Sequence, residues 1–571
     1  MEEMKHDFVA RALFCSLTGL FPVASGFTQT LSVVISEVMY KPGPVVGLPE
    51  VEYVELYNRS AAAVRTDGWR LKVGNTLKDI PSCFLPSRGC LLLAAKADTA
   101  QLSDYGQVAA LSSLSLNNES QTLSLVDAAG RTVFTFTYRH EWQESAKKVG
   151  GWSLEMADVG HPCVENGNWR SSGDLSGGTP GRVVLQNGAV RAAPVRLLRA
   201  VTADSQEVRL FFSGKLHPER ADEASAYLVD GSEPAESVLE LCPDWCSVRL
   251  RLRHPLRPKE LHTLRTVAPL CDCDSQPVEA EPVPFGLSEP MDSLDLVINE
   301  LLSHPKAGGV QFVEICNRSD KILDLKQLRL STVKSDGSLD TGKRVASAGW
   351  PLFPGGYAFL CKNVGAVCSQ YECAAGNGVE MPSFPSYAQG SGRVVLLERA
   401  RIIDEFAYSE QMHYPLLATT EGVSLERINP DAESWREESW CSAASVAGYA
   451  TPGAANSCFT AFGTFEEEVL QLENSTFSPD GDGYADQLVV RYRLPEASLR
   501  GSVRIYRHDG TLVCKLLDNA LLATEGMTVW DGVLDNGTPA AVGAYLLLFE
   551  YWSLSGKVVR IRKVVTVARR L

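Results

Sequence analysis

Histidine is scarce in this sequence, nine residues in 571, and no two stand at metal-ligand spacing. Neither H-E-x-x-H nor G-x-S-x-G occurs, which removes the zinc-peptidase helix and the nucleophile elbow. Apolar residues at helical spacing are nearly absent beyond the first 26 positions, which speaks against helical domains. No later stretch is long and apolar enough to cross a bilayer as a helix. Positive charge is also short: the formal net charge is -15. An acidic surface repels nucleic acid and anionic membranes, so neither is expected as a general partner, although a local basic patch escapes that argument.

What is present is enough apolar material, 45% of residues, for several cores. At roughly 100–200 residues per domain, the length predicts three to five domains. The N-terminus "MEEMKHDFVAR" precedes the apolar stretch "ALFCSLTGLFPVASGF". That pattern predicts a signal peptide over residues 1–26, with Ala24 and Gly26 as the small residues before the cut. Glu2, Glu3 and Asp7 dilute its positive region, and a buried N-terminal helix is the alternative. Cys15 follows "ALF", which fits a lipoprotein box poorly.

Without Cys15, fourteen cysteines remain. Cys83 and Cys90, Cys242 and Cys246, Cys271 and Cys273, and Cys368 and Cys373 form close pairs in sequence. In an exported chain such spacing predicts disulfides of unreadable connectivity. Cys242, Cys246, Cys271 and Cys273 could instead hold Zn²⁺, but C-x3-C and C-x-C depart from the usual knuckles.

An internal repeat organises the chain. "VISEVMYKPGPVVGLPEVEYVELYNRS" returns as "LVINELLSHPKAGGVQFVEICNRS". "TDGWRLKV" answers "DLKQLRLS", "FLPSRGCLLLA" answers "LFPGGYAFLC", and "GWSLEMADVGHPC" answers "GVSLERINPD". "NWRSSGDLSGGTPG" answers the region from "SWCSAAS" to "ATPG". Within each copy, runs such as "EYVELYN" and "QFVEICN" alternate apolar and polar residues, as half-buried strands do. "QTLSLVDAAGRTVFTFTY" carries a hairpin signal at "DAAG". Short strands with regular turns predict an all-β chain of sandwiches.

The order of E-x-x-Y/H-x-P, E-F/Y-V-E-x-x-N, G-W-x-L, L-P-x-G, G-x-S-L-E and T-P-G resembles the lamin tail domain, which implies an Ig-like β-sandwich. The first copy (27–185) matches closely. The second (294–458) has Leu328 in place of Trp69 and Val423 in place of Trp152. In bacteria the resemblance implies exported or surface proteins, sometimes attached to hydrolase domains, and it carries over no catalytic residue. Between the copies, residues 190–290 include "EVRLFFSG", similar to bacterial Ig-like spacer modules, and end in the Pro-rich "EAEPVPFGLSEP".

Residues 460–571 combine "FSPDGDG", "WDG", "DNG" and "GAY". This segment resembles the Ig-like C-terminal module of gliding-motility and type IX secretion cargo, and also the flagellar hook-capping Ig-like domain. The resemblance implies an export or anchoring module. "FSPDGDGYAD" itself places Asp480, Asp482 and Asp486 at positions 1, 3 and 7, with glycines between. Such a loop can offer Ca²⁺ several oxygens at about 2.3–2.6 Å. It is no EF-hand, since Ala485 and Arg491 stand where Gly and Glu are needed. An Asx-rich turn without metal is the alternative.

Other candidate chemistry is weaker. "GSLDTGKR" fits G-x-x-x-x-G-K, but Arg344 replaces the Mg²⁺-binding hydroxyl and the flanks are strand-like, so a loop is expected. Glu37 with Glu55, and Glu300 with Glu314, could be acid–base pairs of a glycosidase; the expectation is polar residues on a wet sheet face. The sequons "NRS" at Asn58 and Asn317 fit glycan acceptors or strand-ending turns. "GKVVRIRKVVTVARRL" is basic without an acid: a recognition strand for secretion machinery, an anchor to an anionic surface, or an edge kept soluble by charge.

These readings predict an exported, non-catalytic structural or adhesive protein. It would pass through the periplasm to the outer cell surface or medium by type IX secretion. Partners would be that machinery or other surface proteins, with no transmembrane segment in the mature chain. The alternatives are an accessory part of the secretion machine, or a metal-dependent nuclease, phosphatase or glycosidase using an unrecognised carboxylate such as Glu55 or Asp482.

Overall fold

The computed structural model describes residues 31–165, 167–184, 193–460 and 468–569. The segment 1–26, read as a signal peptide, lies outside them. The chain is all-β, a series of Ig-like β-sandwiches.

The repeat in sequence is a repeat in topology. The first copy has a six-stranded sheet in the order Trp169–Ser171, Leu154–Met156, Val33–Met39, Tyr53–Asn58, Cys90–Ala95, Val108–Leu111. Trp440–Ser442, Leu425–Arg427, Leu296–Leu302, Phe312–Asn317, Tyr357–Cys361 and Gly378–Glu380 take the same order in the second. Both sheets finish in a parallel pair. A four-stranded sheet closes each sandwich: Thr132–Arg139, Ser120–Val126, Arg70–Val73, Thr76–Asp79 in the first, and Arg401–Ser409, Ser391–Glu398, Leu328–Thr332, Lys343–Arg344 in the second.

The cores correspond as well. Trp169 stacks on Phe136 at 4.2 Å between ring centroids, and Trp440 on Phe406 at 3.6 Å. Such pairs add to the hydrophobic burial of two large rings. Leu328, at the place of Trp69, is fully buried among Leu301, Leu330 and Leu396, so the second core closes with smaller side chains.

Residues 195–285 form two four-stranded sheets over a core that includes Leu210, Tyr227, Leu250 and Phe285. Residues 470–567 form a three-stranded and a five-stranded sheet around Trp530, Phe549 and Val503. Consecutive modules touch through specific bonds. Cys163 of the first sandwich is disulfide-bonded to Cys273 of the spacer. The Arg199 guanidinium stacks on Phe211 and on Trp350 and donates to Gly349 O at 3.2 Å. Thr524 N donates to Ser457 O at 2.9 Å, joining the second sandwich to the last module.

Two disulfides are present, and they supply the connectivity that the sequence left open. Among the described residues only Cys368–Cys373 joins sequence neighbours, while Cys273 reaches 110 residues back to Cys163. Cys83, Cys90, Cys242, Cys246 and Cys271 are thiols. The Zn²⁺ reading of Cys242, Cys246, Cys271 and Cys273 fails because Cys273 is already bonded and the described residues bring no such group together. Sequence proximity leaves the connectivity open because strands diverge within a few residues, and only the fold decides which sulfurs meet.

Candidate functional site

Asp480, Asp482 and Asp486 lie in the turn between Thr476–Phe477 and Leu488–Arg493. Gly481 and Gly483 have φ of 76° and 86°, and Ala485 has 52°, so the chain coils tightly enough to face its carboxylates inward. Asp486 accepts the N–H groups of Gly481 and Gly483 at 2.7 and 2.8 Å. Those bonds favour its charged form and hold its carboxyl below the usual range. Asp482 accepts Tyr484 N at 2.8 Å, and Asp480 accepts Ser478 Oγ at 2.9 Å. Each aspartate offers one oxygen within 4.8 Å of the others. The Asx-turn bonds and a cation-sized cluster therefore coexist, and these three residues are the ones that would hold Ca²⁺.

The glutamates are not on a wet face. Glu37, Glu55 and Glu155 of the first copy face one another across three adjacent strands, and Glu300, Glu314 and Glu426 do the same in the second. All six are buried, five of them to 1 % exposure or less. The reason is a strap that follows the last strand of the sheet and roofs this face. In the first copy, Thr179 N donates to Glu37 at 2.9 Å, Thr179 Oγ1 to Glu155 at 2.9 Å, and Gly181 N to Glu55 at 2.7 Å. In the second, Thr451 N donates to Glu300 at 3.0 Å, Thr451 Oγ1 to Glu426 at 2.9 Å, and Gly453 N to Glu314 at 2.5 Å. The T-P-G motif is therefore the clasp of a carboxylate row.

A β-bulge completes each row. The register slips between Ile35 and Glu37, and again between Ile298 and Glu300. The extra residue turns toward the middle carboxylate: Ser36 Oγ donates to Glu55 at 2.7 Å, and Asn299 Nδ2 to Glu314 at 2.8 Å. Burial, reinforced by Glu55 and Glu155, pushes Glu37 up to about 8, and burial pushes Glu55 up to about 7. Burial and then Glu426 raise Glu300 to about 8, and burial and then Glu300 raise Glu314 well above its ordinary value. Roofed in this way, these carboxyls have no route to a substrate, so they do not serve the glycosidase reading.

Two other ambiguities close. Asn58 and Asn317 are fully buried, and their amides donate to Ala62 O and Leu85 O, and to Lys321 O and Leu352 O. An amide so enclosed is a turn brace, unavailable to a glycan. The G-x-x-x-x-G-K stretch is a hairpin: Val333 bridges Leu339, and Lys343–Arg344 pairs with Leu328–Thr332, with no helix to receive a phosphate.

The basic strand Val558–Val567 lies at a sheet edge. One side pairs along its length with Gly543–Trp552, whereas the other pairs with Thr476–Phe477 only at Thr566 and Val567. Arg560 is bonded to Glu550 at 2.6 Å and Lys563 contacts Glu468 at 2.5 Å.

Residues 28–140 match the sequence profile of the family described as Lamin Tail Domain. No curated protein is similar to the chain. Among solved structures, the N-terminal part of the bacterial S-layer protein SbsC is 15% identical, with 28% of this chain and 44% of that one covered and a TM-score of 0.16. Dimeric latent PorU from Porphyromonas gingivalis is 10% identical, covering 78% of this chain and 40% of that one, with a TM-score of 0.15. A Ca²⁺-stabilised ice-binding adhesin of an Antarctic bacterium is 10% identical, covering 94% and 99%, with a TM-score of 0.12. The chain spans about half the length of the S-layer structures or less. TM-scores this low extend the likeness neither to arrangement nor to function.

Proposed function

We propose that this protein is an exported, non-catalytic structural or adhesive component of the bacterial cell surface, whose C-terminal module directs delivery by type IX secretion. The observation that carries the reading is the Cys163–Cys273 bridge between the first sandwich and the spacer. Disulfides that tie modules together persist in oxidising compartments outside the cytoplasm. The Arg199 stack on Trp350 and the Thr524–Ser457 bond add to it, because a chain of modules fixed to one another suits reach and load. The buried carboxylate rows support a mechanical role over a chemical one.

In this reading the exposed edge of Val558–Val567 is the contact for the secretion machinery or another surface protein. Ca²⁺ held by Asp480, Asp482 and Asp486 stiffens the entry to the last module. Deleting residues 460–571 is expected to retain the protein in the periplasm, measured by cell fractionation with intact-mass analysis of each fraction. Unchanged delivery to the surface would overturn the export role. Stable co-purification of the full chain with the translocon, without release, would make it part of the machine.

A further inference from the structure

The two copies differ in charge at one corner, and in the second copy that corner is a cleft. Arg70 of the first copy and Arg329 of the second occupy the same place, since each precedes a core leucine, Leu71 or Leu330, on the corresponding strand. Arg70 faces Asp79 on the edge strand. Arg329 faces Arg344. Like charges directly opposite on adjacent strands are destabilising, so this register costs the free protein something.

Two further positions shift the same way. Three residues before the arginine, the first copy has Asp67 and the second Lys326. Across the sheet, Arg70 pairs with Val126 and Arg329 with Leu397; two residues beyond these stand Ala128 and Arg399. A corner that holds two aspartates and one arginine in the first copy thus holds Lys326, Arg329, Arg344 and Arg399 in the second.

In the second copy these four cations line an open cleft of about 460 Å³, together with Gln327 and Thr341. No carboxylate lines it. Nearby acids are engaged elsewhere: Glu398 with Arg401, Asp340 with Lys334, and Asp324 with the N–H groups of Lys326 and Trp350. Arg329 is held in place, its Nη1 donating to Gly342 O at 2.7 Å. Gly342 permits this approach, because a Cβ there would come within 2.9 Å of the Arg329 Cβ. Arg399 sits at φ 57° on the hairpin tip.

We propose that this cleft of the second sandwich binds an anionic saccharide, a sugar unit bearing sulfate, phosphate or carboxylate. Guanidinium forks match such oxyanions in pairs of hydrogen bonds. The Gln327 amide and the Thr341 hydroxyl suit sugar hydroxyls, and the volume lies within the range of small-ligand sites. Nucleic acid fits less well, because the cleft has no aromatic side chain for a base to stack on. The inference concerns the cleft and stands whether or not the protein is exported.

The test is a binding titration of the purified full chain with heparin (sulfated), polygalacturonate (carboxylated), a phosphorylated mannan, and single-stranded DNA, at low and moderate salt. At least one polysaccharide is expected to bind, with affinity that falls as salt rises. Arg344→Asp restores the pairing that the first copy carries and so is expected to fold. It should weaken binding at least tenfold, and Arg344→Asp with Arg399→Ala should abolish it. Arg220→Ala, on the spacer and paired there with Glu223, should leave binding unchanged. Which polysaccharide binds identifies the oxyanion. Binding to none of them, DNA binding as tight as the best polysaccharide, or equal loss in Arg220→Ala and Arg344→Asp would overturn the proposal.

Discussion

Glu300 lies directly opposite Glu314 on adjacent strands, and neither side chain is exposed to solvent. Water cannot screen them, so charging both at once is unfavourable, and each holds its proton far beyond the ordinary range. The first copy repeats the relationship in Glu37 and Glu55. Four consequences of these and related contacts can be measured.

Stability is expected to fall as the medium becomes alkaline. The unfolded chain releases these protons near pH 4.5, whereas Glu37 and Glu300 keep theirs to about pH 8 in the folded protein. The folded state therefore binds more protons between those values. Each such group removes roughly 1.4 kcal/mol of stability per pH unit across the window, with no further loss above it. Urea unfolding from pH 5 to 9 measures the slope. Glu300→Gln, which keeps the shape without the titration, should flatten the part due to the second sandwich.

Gly181→Ala should open the first strap. Gly181 has φ 84°, and a Cβ there would lie 1.8 Å from Tyr105 O. Its N–H also anchors Glu55. The expected cost is about 2 kcal/mol or more. Hydrogen exchange should show residues 172–183 losing protection. Gly130→Ala, at a turn of similar φ with open space around it, should cost less.

Cys163→Ser should release the spacer from the first sandwich. A cross-link that closes so long a loop is worth about 2–4 kcal/mol. Scattering is expected to report a wider distribution of shapes, and dithiothreitol should produce the same change in the wild type. A reductant effect that persists undiminished in Cys163→Ser would assign it to another bond.

Ca²⁺ should raise the melting temperature of the last module, read by calorimetry. Asp480→Ala should remove that gain with little effect in its absence. Asp486→Ala should destabilise the turn even in chelator, because Asp486 accepts two backbone N–H groups. No heat and no shift on adding Ca²⁺ would leave the cluster as a turn.

Much of this was legible in the chain itself. The duplicated motifs, the strand alternation of "EYVELYN" and "QFVEICN", and the hairpin at "DAAG" all correspond to observed strands and turns. The T-P-G motif was visible as a match between the copies, but not as a clasp. Its role depends on a bulge at Ser36 and on carboxylates from three separated strands, which meet only when the sheet has formed. Glu37 and Glu300 looked like solvent-facing polar positions because strand alternation reports which residues point away from the sandwich core. It is silent on whether something else covers them.

The sequence by itself determined the all-β character, the repeat and the placing of three aspartates within seven positions, since each follows from local periodicity, self-similarity or spacing. Tertiary structure decided which sulfurs pair, which carboxyls are buried, and that Arg344 faces Arg329 where Asp79 faces Arg70. Those are facts of register and covering, and no local pattern encodes which side chains two strands set opposite one another or what later covers them.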